Sequence, residues 1–153
     1  MSFYNRYNWQ SKYPTPSTCT DQTKVNIKVK NTLTGRDLSC FVTQLPGNCH
    51  TLYAYEFRSI YFMNDEELCR DLFLEIIKFA KLEKTSEISF SFNGEDYYKI
   101  AKQVAKDMGF KVHRPKWNDR YNRSDFGRDP EHMITKVTGN CKTLFAKHFP
   151  EGI

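Results

Sequence analysis

The spacing of apolar residues along this chain changes period, and that change limits the folds open to it. Val25, Ile27 and Val29 alternate with Asn26, Lys28 and Lys30, the period of two of a strand that buries one face. Two further strand-like runs follow at 39–45 and 50–62, joined by Pro46, Gly47, Asn48 and Cys49, residues suited to a hairpin turn. The period then lengthens: Leu68, Leu72, Ile76 and Phe79 fall at helical spacing within DEELCRDLFLEIIKFAKL. Asn64 followed by Glu67 has the form of an N-cap with its reciprocal partner, while Asp65–Glu67 and Lys78 with Lys81 match the helix macrodipole at either end. Alternation returns in EISFSF (87–92), Asn93-Gly94 breaks it, and EDYYKIAKQVAKDM reads as a second helix stopped by Gly109. Short strands are expected at 110–113 and 133–137, around a long polar loop at 114–131.

At 153 residues with 39% apolar content, this pattern fits one core. The expected division is an aromatic N-terminal arm over 1–23, carrying Tyr4, Tyr7, Trp9 and Tyr13, and a single α/β domain over 24–153. The fold class is α/β (α+β), a central, mostly antiparallel sheet with two main helices; a ferredoxin-like sandwich gives a similar element string. No run reaches the roughly 18 apolar residues of a membrane span, and the N-terminus lacks the order of a signal peptide, so no membrane partner and a cytoplasmic location are expected. Five cysteines without a C-x-x-C pair argue for reduced thiols.

The net charge of +5 is segregated: residues 1–36 sum to +5, 37–96 to −6, 97–123 to +6 and 124–153 to zero. In the basic block Lys99, Lys102 and Lys106 share one helical face, opposite Ile100, Val104 and Met108. Lys111, Arg114, Lys116, Arg120 and Arg123 extend the charge, with Trp117 and Tyr121 interleaved. Cations alternating with aromatics suit a phosphate backbone with exposed bases. The same residues also suit a solvated helix face and a loop anchored by Trp117.

Other constellations carry less. The four histidines show no metal-ligand spacing. Cys49 beside His50 would need a depressed thiol pKa to act as a nucleophile. Glu56, read as facing the same way as Ala54 and Arg58 along one strand, has the chemistry of a general base or of one half of an ion pair. TGNCKT (138–143) lacks the spacing of a phosphate loop.

The element order over 24–138, and the strand, helix and Gly109-Phe110 ending from EISFSF to AKDMGFK, resemble the GNAT-type N-acetyltransferases. The resemblance implies an acyl-CoA donor whose phosphates lie on a Gln/Arg-x-x-Gly-x-Gly/Ala turn before the first helix. Here that segment is Arg58–Asn64, without glycine, and an acidic helical turn follows it. Many members use a tyrosine four residues before the terminal glycine as general acid; Ala105 stands there, with Tyr97 and Tyr98 two turns earlier. The family's first strand and paired helices have no evident counterpart ahead of Val25. The leading expectation is therefore a small non-catalytic binding or regulatory protein without a cofactor, engaging nucleic acid or an acidic or nucleic-acid-associated protein through the basic helix and loop. The alternative is an acyl-CoA-dependent N-acyltransferase, using acetyl-CoA, with an atypical cofactor turn. A further reading, from the abundance of Phe, Tyr, Asn and Lys, is a phage protein that interferes with a host machine or serves structurally.

Overall fold

A computed structural model describes residues 4–7, 24–45, 48–58, 65–94, 98–117 and 133–152. The strands are β1 (Tyr4–Tyr7), β2 (Val25–Asn31), β3 (Asp37–Leu45), β4 (Asn48–Arg58), β5 (Glu87–Asn93), β6 (Lys111–Val112), β7 (Lys116–Trp117) and β8 (Met133–Asn140). The helices are α1 (Glu66–Leu82), α2 (Lys99–Met108) and α3 (Cys141–His148). One sheet has the order β1-β2-β3-β4-β5-β8-β6, and β7 also pairs with β8. Every pairing is antiparallel except β4 with β5, which α1 joins as a crossover.

The expected α/β fold with a mostly antiparallel sheet is the one observed. Val25, Ile27, Val29, Leu38, Cys40, Val42, Leu52, Ala54, Ile88, Phe90 and Phe92 project from one sheet face into the core. They meet Leu68, Leu72, Phe73, Ile76 and Phe79 of α1, which also contacts α2 and α3. The described helices thus form one layer, and the described part of the opposite sheet face carries none. No helix is long and apolar enough to cross a membrane among the described residues.

At four places the structure adds to or departs from the sequence reading. Within the expected arm, Tyr4–Tyr7 pairs antiparallel with Lys28–Asn31, because β2 offers a free edge whose hydrogen-bonding groups any extended segment can satisfy. The N-cap of α1 is Asp65, not Asn64: its carboxylate accepts from the Leu68 amide at 3.1 Å, and it also lies 3.8 Å from Arg36. The described part of α2 begins at Lys99, preceded by Tyr98 in the left-handed region with φ 62°. A third helix, α3, follows β8 without a loop; Asn140 caps it by accepting from the Thr143 amide at 2.9 Å.

Candidate functional site

The parallel strands β4 and β5 are in register from Thr51↔Glu87 to Ala54↔Phe90, and no further. Beyond that rung β4 runs on to Arg58 and β5 to Asn93, so the two diverge into a fork. The cause lies in β4. Against β3, Phe41 faces Tyr55 and Ser39 faces Arg58, so β4 uses one residue more than its neighbour over this stretch. The extra residue is accommodated at Glu56, whose φ of 52° lies in the left-handed region. The bulge breaks the alternation assumed from sequence. Ala54 is buried while Glu56 and Arg58 are exposed, and it is Phe57 that turns into the core.

On the helix side, Phe57 packs edge-on to Phe90 with centroids 5.6 Å apart and lies 5.2 Å from Phe92. Tyr98, at the start of α2, stacks on Phe92 at 5.0 Å. On the open side, a cavity of about 560 Å³ starts at the last rung, Ala54 and Phe90, and extends along Tyr53, Tyr55, Ser89 and Ser91 toward Lys24 and Lys136. Tyr55 lies 5.9 Å from Phe41 and under the Lys24 ammonium at 5.8 Å. The N-termini of α1 and α2 flank the open end of the fork, as follows from a crossover at the carboxyl ends of two parallel strands, where ligands of α/β sheets characteristically bind.

The residues singled out from sequence are distributed differently. Lys99 and Lys106 are exposed on the outer side of α2, while Lys102 is half-buried and donates from Nζ to the Gly94 carbonyl at 3.3 Å. Lys111 and Lys116 both lie on the far sheet edge beside β8, Arg114 is exposed between them, and Trp117 is half-buried there. Arg120, Tyr121 and Arg123 lie outside the described residues. Glu56 pairs with Arg58 on its own strand at 3.2 Å, not across strands, and both ends are exposed.

Two histidines and three cysteines have structural roles. His113 shares a hydrogen bond with Thr138 at 2.9 Å, and His148 meets the Met108 carbonyl at 2.7 Å. Cys40, Cys69 and Cys141 are buried free thiols. Burial pushes Cys40 and Cys141 up from the ordinary thiol value; Cys69 is pushed up to about 12 by burial first, then by Asp65 and Glu66. None is set up as a nucleophile. The side chain of Cys49 lies outside the described ones. Among the described residues no cluster of His, Cys, Asp or Glu could hold a metal ion.

No protein-family model matches the chain, and no curated protein matches it at a significant level. Solved structures do. The chain is similar to a spermidine/spermine N-acetyltransferase from Vibrio cholerae, with TM-score 0.58 and 10% identity over 86% of this chain and 75% of that one. It is similar to the IAA acetyltransferase from Bacillus cereus, with TM-score 0.56 and 8% identity over 92% and 99%. An N-acetyltransferase from Staphylococcus aureus matches with TM-score 0.56 and 11% identity over 78% and 69%. The protein has a GNAT-type fold.

These matches correct two expectations. The main reading, a non-catalytic protein that engages nucleic acid or a nucleic-acid-associated partner, yields to the acyltransferase alternative, because the solved structures named above are acetyltransferases. The expectation of no cofactor yields with it, since the same likeness favours acetyl-CoA use. Nothing in the comparisons supports nucleic-acid binding or a phage origin.

The residues present fit one end of an acyl-CoA better than the other. The fork offers two divergent strand edges and an aromatic wall, a fit for an apolar, amide-bearing arm. The first turn of α1 fits a diphosphate poorly: Asp65 already occupies one of its amides, and Glu66 and Glu67 are exposed beside it.

Proposed function

We propose that the protein is an acyl-CoA-dependent N-acyltransferase that holds its donor in the fork between β4 and β5 and its acceptor amine in the cavity on the open sheet face. The observation that carries this reading is the coincidence of the Glu56 bulge with the end of the β4–β5 ladder. A left-handed non-glycine residue costs on the order of 1–3 kcal/mol, and such strain concentrates at ligand sites. Here it turns Phe57 into the core and separates two strand edges that would otherwise pair.

The arm of the donor lies along Tyr55–Arg58 and Ser91–Asn93 as an added strand would. Lys99 and Lys102, at the start of α2, supply the countercharge for its phosphates in place of a glycine turn. When bound, the donor supplies an activated thioester. Overall, an N–C amide bond forms, the C–S bond breaks, and the proton shed by nitrogen ends on sulfur. Tyr98 stands on the helix side of the fork and is the general acid for the leaving thiol. A cytoplasmic location is consistent with such a donor, which is available there.

Calorimetric titration with acetyl-CoA tests this reading. One saturable site, competed by free coenzyme A and weakened by Lys99→Glu with Lys102→Glu, supports it. No saturable binding of acetyl-, propionyl- or succinyl-CoA contradicts it.

A further inference from the structure

We propose that the acceptor is a small amine carrying a carboxylate, on the scale of an amino acid, and that Lys24 and Lys136 receive that carboxylate. The inference rests on the acyltransferase reading and concerns the acceptor cavity on the open face.

The described wall of this cavity contains two cations and no carboxylate. Lys24 enters from the start of β2 and Lys136 from β8, so the charges come from opposite sides of the β4–β5 rung. Neither is ion-paired within the described residues. Lys24 rests 5.8 Å over the ring of Tyr55, a contact that leaves its charge available. The other described carboxylates on this sheet face are engaged or distant. Asp37 pairs with Lys28 at 3.5 Å and Glu56 with Arg58 at 3.2 Å. Glu87 sits at the closed end of the ladder, two residues before Ser89, and outside the cavity wall.

Two consequences follow for a ligand. A polycationic amine meets like charge and, among the described lining residues, no countercharge, which disfavours it. An amine with a carboxylate gains charge-assisted contacts to the lysines, while Tyr53 and Tyr55 offer apolar surface to the rest of it. The lysines also act on the reacting group: nearby positive charge disfavours an ammonium, so more of the bound amine is present as the neutral nucleophile. The transfer balances as before, with the N–C bond formed, the C–S bond broken and the proton moved from nitrogen to sulfur.

The test is thiol release from acetyl-CoA by the full chain with the protein amino acids, with their decarboxylated amines, and with spermidine. The carboxylated members are expected to show kcat/KM about tenfold or more above their decarboxylated partners, the size of losing a charge-assisted contact. Lys24→Gln and Lys136→Gln should bring that ratio toward one while leaving the acetyl-CoA titration unchanged; Lys136→Arg should restore it. A preference for the decarboxylated amines or spermidine, or no turnover of any acceptor by protein that binds acetyl-CoA, overturns this inference and leaves the donor reading standing. Failure to bind acetyl-CoA at all removes both.

Discussion

At Glu56 the backbone adopts a conformation that its side chain does not favour, and the reason for tolerating it is geometric, since the extra residue is what turns Phe57 inward. Glycine carries no such penalty. Glu56→Gly should therefore leave stability unchanged or raise it by up to about 1 kcal/mol, whereas Glu56→Val should lower it by about 1–2 kcal/mol, both read from urea unfolding. The Glu56–Arg58 pair is exposed and adds little to either result. Gly139 is constrained by close approach instead. A Cβ there would sit 2.4 Å from Leu144 Cδ1 and 2.8 Å from Phe110 Cδ1, so Gly139→Ala should cost about 1–3 kcal/mol by overpacking where α3 meets β8. Tyr98→Phe should reduce kcat by about 100-fold and leave acetyl-CoA affinity intact. None of these residues announces its role in the sequence. Ala54, Glu56 and Arg58 read as one side of an unbroken strand, because a bulge at a residue other than glycine leaves no local signature; only the register against β3 exposes it.

Elements were legible in proportion to how much of their order is written in their own periodicity. α1, β2 and β5 each bury a clean stripe, and their spacing sufficed. The cap of α1 shifted by one position because Asn64 and Asp65 are both good caps and the choice falls to geometry, with Arg36 close enough to favour Asp65. Asp65→Ala should lower stability by about 1 kcal/mol in thermal or urea unfolding. β1 escaped notice since Tyr4–Tyr7 owes its conformation to the edge of β2. α3 did so because CKTLFAKH is only eight residues, buries little beyond Cys141 and Leu144, and follows a strand directly. The fork was visible only as a missing glycine in the segment after Arg58, which pointed away from a cofactor. Its positive evidence, a ladder that stops at Ala54 and Phe90, is tertiary.

For the whole molecule, the fold separates a helical layer that holds the core from an open sheet face that carries charge, and the fork joins the two sides. Its buried thiols make stability fall at alkaline pH. Cys69 holds its proton up to about 12 in the folded protein, whereas an ordinary thiol loses it near 9.0. Between those values the unfolded chain binds fewer protons than the native one, so stability drops as pH rises, by at most about 1.4 kcal/mol per pH unit from this group. Cys69→Ala should show a correspondingly shallower alkaline decline in urea midpoints than the parent protein. The described part of the basic block at 97–123, the most conspicuous charge feature of the sequence, is divided by the fold between the solvated side of α2 and the sheet edge at β6 and β7. Amide chemical-shift mapping of the full chain with acetyl-CoA separates these surfaces most directly. The account predicts saturable shifts concentrated at Tyr55–Arg58, Ser91–Asn93 and the first turn of α2. Shifts confined to Lys106, Lys111, Arg114 and Lys116, or none at saturating acetyl-CoA, would contradict it.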